Sequence, residues 1–181
     1  MKLRVASSGD AHAIAALHAA SWKSTYANVL QSAYLSDVVP FERQAVWQQR
    51  LGEPRASQRV MVAEHAGKVV GFACAFVDED PSLGSYLENL HVAIPAQGGG
   101  AGTLLIGAVA TICSEQAVSP RLYLSVNQDN TRAQRFYRGL GALNAAHAVW
   151  NAPDGSAVPT FRFEWTSVTD LAQKTREYGG H

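Results

Sequence analysis

Four of the five residues from Gly98 to Gly102 are glycine. They lie between a strand-like run, Ser85 to Val92, and an apolar run from Thr103 to Cys113 that is long enough for a helix. Glycine accepts positive φ and puts no side chain in the way of a ligand. The first amides of a helix have no partner inside it, and its dipole favours negative charge there. Such a turn can hold phosphate with main-chain donors alone; the alternative is a bare flexible turn. Two phosphate-loop patterns do not fit. A P-loop needs Lys and then Ser or Thr after its last glycine, and Ala101-Gly102-Thr103 supplies no lysine. The dinucleotide fingerprint fails at its third glycine, where Thr103 stands. A second run, Asn130 to Gly141, places Asn130, Ala133 and Tyr137 on one helical face. Asn130 also suits a helix N-cap, and Tyr137 suits either a proton donor or a packed aromatic beside Phe136. A third candidate is Glu88, a charge inside an otherwise buried strand.

Gln97-x-x-Gly100-x-Gly102, after a strand ending in valine, resembles the acyl-CoA pyrophosphate loop of the GNAT superfamily of N-acetyltransferases, Arg/Gln-x-x-Gly-x-Gly/Ala. Asn130-x-x-Ala133-x-x-Phe136-Tyr137-x-x-x-Gly141 resembles that family's second signature, in the matching order and spacing. The resemblance covers roughly residues 2 to 165. It implies one α/β (α+β) domain over residues 1–165, with acetyl-CoA as cosubstrate and no metal. The sheet should be twisted, mixed and mostly antiparallel, with six to seven strands and about four helices. It should splay around a bulge between Ser85–Val92 and Leu122–Val126, and acetyl-CoA should enter the opening. Main-chain groups of Leu90 and Val92 are expected to meet the pantetheine amides and polarise the acetyl carbonyl. Amides of Gly98, Gly100, Ala101 and Gly102 are expected at the pyrophosphate, in a turn completed by Gly99 and Thr103, with Gln97 donating from its side chain. Asn130 and Ala133 are expected along the pantetheine arm, and Tyr137 at the departing sulfur. Gly99 stands where many relatives carry Lys or Arg, which leaves phosphate binding to amides. Ala142 stands where an aromatic often follows the glycine, which should loosen packing there.

The acceptor implied by the resemblance is a primary amine of a small molecule or peptide, attacking directly in a ternary complex. Glu88 is the candidate base; its alternatives are a salt bridge or recognition of a cationic substrate. Alternation puts Tyr86, Glu88, Leu90 and Val92 on one face of the strand and Leu87, Asn89 and His91 on the other. His91 is therefore the weaker base. Trp22, Tyr26, Tyr34 and Glu88 are expected to line the acceptor pocket, through cation–π contact and charge; the same aromatics would also suit a core. A rival reading is a non-catalytic acyl-CoA-binding module of the same fold.

The elements that must position these groups follow in order. Lys2–Ala6 reads as a strand. Ser7 and Asp10 have capping-box spacing before a helix with Ile14, Leu17, His18 and Ser21 on its inward stripe. Phe41–Leu51 reads as a second helix, with Phe41, Ala45, Val46 and Gln49 along one side. Arg59–Glu64 and Val69–Val77 read as a hairpin, and Leu143–Trp150 with Thr160–Trp165 as another. Residues 166–181 read as a polar tail that frays.

Composition narrows the class. At 181 residues, 47% hydrophobic and formal net charge +0, the chain suits one globular domain with a full core. A basic footprint for nucleic acid is missing. No apolar run is long enough to cross a bilayer, and the N-terminus lacks a signal peptide's apolar core. Cys74 and Cys113 read as buried free thiols, which suits a reducing cytoplasm. The resemblance allows a homodimer.

Overall fold

A computed structural model describes residues 1–179; Gly180 and His181, the end of the expected tail, lie outside the described residues. Seven strands form one sheet: β1 Lys2–Val5, β2 Gln58–His65, β3 Lys68–Asp80, β4 Gly84–Val92, β5 Leu122–Asn127, β6 Leu143–Asn151 and β7 Ala157–Trp165. Their order is β1-β2-β3-β4-β5-β7-β6. Only β4 and β5 pair in parallel; the other neighbours are antiparallel. Among the described residues the α-helices are α1 Ala11–Thr25, α2 Val39–Gly52, α3 Ala101–Gln116, α4 Thr131–Gly139 and α5 Val168–Gly179. The sheet and its mixed pairing agree with the expectation.

Each face of the sheet is covered by helices, because side chains alternate across a strand. On one face Ala73, Ala75 and Leu87 meet Leu105, Ile106 and Val109 of α3. On the other, Val60, Val62, Phe72, Cys74 and Phe76 meet Ile14 and Trp47. Cys74 and Cys113 fall in different clusters and both are free and buried.

Two helical expectations are corrected. Residues 166–179 do not form a fraying tail. Val168, Leu171, Ala172 and Thr175 recur at helical spacing and are all buried, which makes α5 a packed element. It crosses α3 at Gly107, where an added Cβ would lie 2.5 Å from Thr175 Oγ1. The polar residues of its outward face hid the stripe. In α2, Phe41 points to solvent at 76% exposure, while Val39 and Trp47 are fully buried. The inward face is therefore Val39, Arg43, Trp47 and Arg50, not the side that carries Phe41. Indole burial outweighs the two charges because each arginine can lay its apolar stem on the core and stack its head on an aromatic.

The feature that opens the sheet is in β4. Its parallel register with β5 is confined to Ser85–Leu122 and Tyr86–Tyr123. Beyond them β5 stays paired with β7 through Asn127. Against β3, Asn89 pairs with Cys74 but Leu87 pairs with Ala75, so Glu88 is an extra residue with no partner. This is a β-bulge, which bends the strand and shifts its alternation by one. Leu87 and Leu90 then share the α3 face, while Tyr86, Asn89 and His91 share the face of α1 and α2. The regular alternation expected from the sequence is thereby corrected: His91 does not point away from the acceptor side.

Candidate functional site

A cleft of about 1440 Å³ follows the splay. One arm lies between the end of β4, the glycine loop, the end of β5 and α4. The other lies between β4, α1 and α2, with Trp150 and Pro153 from the β6–β7 hairpin at its side. Every residue expected at the site lines this cleft except Tyr34. Tyr34 sits in a wide helical turn, Tyr34–Val38, ahead of α2, and its hydroxyl donates to Glu42 at 2.6 Å. That bond turns it away, so its expected role in the pocket is corrected.

The glycine loop is shaped by its backbone. Gly98 and Gly100 hold φ of 84° and 83°, the left-handed region that side chains resist. Nothing lies within 4 Å of where a Cβ would sit on either. Gly100 is the N-cap of α3, and Ala101, Gly102 and Thr103 form its first turn. Among the described residues the amides of Gly98, Gly99 and Gly100 have no backbone acceptor. Amides on a loop that leads into a helix N-terminus make an anion cradle. Gln97 behaves differently from expectation: its Nε2 donates back to the Val92 carbonyl at 2.9 Å. Its side chain ties the loop to the strand end and leaves the cradle to main-chain donors.

On α4, Asn130 is the N-cap, its Oδ1 accepting from the Ala133 amide at 3.1 Å. Its Nδ2 is left for the cleft. Ala133 is half-buried and Tyr137 buried, its ring edge-on to Phe136, Phe163 and Trp165. Burial pushes the Tyr137 phenol well above its ordinary range. The group is thus a neutral hydroxyl that can donate. The end of α4 is not loosened by the alanine after Gly141. Ala142 is buried, and its amide donates to the Tyr137 carbonyl at 3.0 Å.

Asn127, at the end of β5, was not singled out in the sequence. It is 4% exposed, and its Oδ1 accepts from the Asp129 amide at 3.0 Å. Its Nδ2 is buried with no partner among the described residues. An orphaned buried donor costs about 1–3 kcal/mol, so a ligand carbonyl in the cleft would relieve it. Arg132 and the exposed Tyr178 of α5 stand at the rim of this arm.

The second arm is built from side chains. Glu88 receives both terminal nitrogens of Arg50, Nη2 at 3.0 Å to Oε1 and Nη1 to Oε2. Its Oε2 also accepts from Asn89 Nδ2 at 2.7 Å. Trp22 meets Tyr26 and Trp150 edge to face, and Tyr26 lies tilted against Trp150, with centroids 5.5 Å apart for each pair. His18 is 3% exposed, and its Nδ1 accepts from Trp47 Nε1 at 3.0 Å. A ring accepting at Nδ1 carries its proton on Nε2 and is neutral, and burial drives its pKa far down. His91 lies beside it, centroids 4.7 Å apart, with Nδ1 at 2.7 Å from Ser21 Oγ. Burial lowers the His91 pKa to about 4.

Sequence patterning found Trp22, Tyr26 and Glu88 in this arm but missed Arg43 and Arg50. Their spacing around Trp47 carries the signal, obscured by the apolar Phe41 on the opposite side. Among the described residues, no cluster of His, Cys, Asp and Glu is placed to hold a metal, and no helix is long and apolar enough to cross a membrane. Burial pushes the Cys74 thiol up to about 12, which disfavours a thiolate there.

A family profile described as "Acetyltransferase (GNAT) family" matches residues 19–142. An uncharacterised N-acetyltransferase of Mycobacterium bovis is 33% identical over 91 residues, which are 50% of this chain and 55% of the relative. The chain thus spans about half the length of the curated relatives it matches. Among solved structures, the ribosomal-protein-alanine N-acetyltransferase of Brucella melitensis superposes with a TM-score of 0.69 at 22% identity, covering 92% of this chain and 99% of that one. A putative acetyltransferase of Salmonella typhimurium, solved with acetyl-CoA, superposes with 0.67 at 19% identity over 92% and 93%.

Proposed function

The chain belongs to the GNAT acetyltransferase family, and from that premise we propose that it moves an acetyl group from acetyl-CoA to a primary amine by direct attack within the cleft. The observation that carries this reading is the junction of the two arms. A phosphate-type cradle, a buried hydroxyl and an amine-sized side-chain pocket open into one crevice where β4 parts from β5.

Acetyl-CoA, when bound, supplies the activated acetyl group. The groups that would hold it are the amides of Gly98 to Thr103 at the diphosphate, with Asn130 Nδ2 and main-chain groups of Leu90 and Val92 along the pantetheine. Asn127 Nδ2 fits this set, since a pantetheine carbonyl would give the orphaned donor its partner. Ala133 leaves room for the arm on α4. Tyr137 donates its hydroxyl proton toward the departing sulfur, because a thiolate leaves faster when hydrogen-bonded or protonated.

The amine must lose a proton to act as a nucleophile. Glu88, held by Arg50 and Asn89, offers its negative charge to the incoming ammonium, with Trp22 and Tyr26 as aromatic walls. In the simplest reading it also takes the proton. A second reading of the base has its own observation in the bulge, which turns His91 into the acceptor arm. In the tautomer that donates Nδ1–H to Ser21 Oγ, its Nε2 has a free lone pair. The low pKa keeps the ring neutral at neutral pH.

The test is an amine panel with free-thiol detection of released CoA. Wild type should release CoA with at least one amine. Tyr137→Phe should lower kcat about a hundredfold while acetyl-CoA affinity by calorimetry changes less than twofold. CoA binding without release for any amine would support the non-catalytic module instead. Undiminished kcat in the variant would remove Tyr137 from the chemistry.

A further inference from the structure

Resting on the acetyl-transfer reading, we propose that the acceptor amine carries a carboxylate, as an amino acid does, and that the Arg43 guanidinium receives it. The two arginines of the acceptor arm differ in one respect. Arg50 is matched to Glu88 through both terminal nitrogens. Arg43 donates no hydrogen bond among the described residues, and its Nε is buried without a partner. Only 16% of its side chain is exposed. Its nearest carboxylate oxygen, Glu42 Oε2, is 3.9 Å from Nη2 and already accepts the Tyr34 hydroxyl at 2.6 Å. The guanidinium lies over the Trp22 ring, 4.8 Å from its centroid, and lines the cleft.

A guanidinium is charged at every working pH, so burial does not neutralise it. Leaving its donors unmet in a partly buried site is costly. The rest of the arm does not compensate. Glu88 shares its charge between Arg50 and the incoming ammonium, and His18 and His91 are held neutral by burial. The lining of the arm therefore sets two guanidinium groups, Arg43 and Arg50, against one carboxylate, Glu88, while Glu42, 3.9 Å from Arg43, stands outside that lining. This imbalance favours an amine that brings its own single negative charge. A planar fork of donors matches a carboxylate through two parallel bonds. A dianionic phosphate would call for a second free cation, and Arg50 is already paired. Trp22, Tyr26 and Trp150 form an apolar wall beside this site, suited to the body of a small amino acid derivative.

The experiment uses the full chain saturated with CoA, so that no turnover disturbs binding. Phenylalanine, leucine and β-alanine are titrated by calorimetry against their carboxamides, then again with Arg43→Gln and Arg43→Lys. At least one acid should bind ten times or more tighter than its amide. Arg43→Gln should bring that ratio to about one, and Arg43→Lys should restore part of it. Wild-type affinity of Arg43→Gln for acetyl-CoA checks that the variant is folded. A guanidinium serving only as a clamp on Trp22 would not discriminate acid from amide. The proposal is overturned if no acid exceeds its amide, or if Arg43→Gln keeps the preference. Acid preference without CoA release from acetyl-CoA would sink the transferase reading and leave the carboxylate site standing. Turnover with acid and amide equal would do the reverse.

Discussion

The two arms of the cleft are made from different materials. The proposed cofactor arm is mostly backbone: loop amides held open by Gly98 and Gly100, a helix N-terminus, and strand edges freed by the splay. The acceptor arm is mostly side chain: Glu88 bridged to Arg50, Arg43 over Trp22, and two neutral histidines under an aromatic wall. Backbone sites need particular residues only where conformation demands them. Side-chain sites depend on rotamers, partners and the face each residue occupies. One arm should therefore fail through steric intrusion and the other through loss of charge or proton transfer.

The sharpest way to break that contrast is Gly100→Val. Its φ of 83° and its open flank mean that a branched side chain strains the loop and covers the amides. Acetyl-CoA binding should fall below calorimetric detection, with the loss of the stabilisation of about 2.7 kcal/mol that a ligand gives at a hundred times its Kd. Wild-type affinity in this variant would undo the loop assignment.

The next effect separates the two bases. The carrier of the proton should lose about a hundredfold in kcat on removal, while the other residue shifts mainly KM. If His91 is the carrier, kcat falls as pH drops through about 4, because the ring then takes a proton and can accept no other. His91→Asn would erase that limb and Glu88→Gln would keep it. If Glu88→Gln erases the acidic limb and His91→Asn leaves it, His91 is excluded and Glu88 is the base.

The smallest effect tests a side chain of the proposed cofactor arm. Asn127→Ala removes an orphaned donor, and its loss should weaken acetyl-CoA binding about five- to tenfold, near 1 kcal/mol. An unchanged or tighter affinity by calorimetry would show that Asn127 Nδ2 does not meet the cofactor.

Legibility in the sequence follows the same division. Glycine at 98, 99, 100 and 102 and the Asn130–Tyr137 spacing pointed, with the resemblance they carry, to the proposed cofactor arm, because backbone conformation and helical period are written in residue type. The succession of strands and helices along the chain was legible for the same reason. The acceptor arm was not. Choosing the face of α2 by Phe41 hid Arg43 and Arg50, since patterning ranks an apolar residue above an arginine stem. Even alternation along β4 puts His91 on the wrong side: the resemblance implies a bulge at the splay, but nothing in the run Tyr86 to His91 says that it falls at Glu88. Tyr34 reads as a lining residue in the sequence, and only its bond to Glu42 shows where it points. Asn127 needed the count of unmet donors, which exists only in three dimensions. The helix after residue 166 was hidden by its own polar outer surface.

The unpaired residue at 88 has a consequence for transferring knowledge between proteins. Past it, counting positions along the strand accumulates an error of one, and a one-position error exchanges inward for outward. Comparison with a relative that lacks the insertion would match Asn89 and His91 to side chains of opposite orientation while the letters still lined up. Roles should be carried across this segment by superposed coordinates, never by ruler.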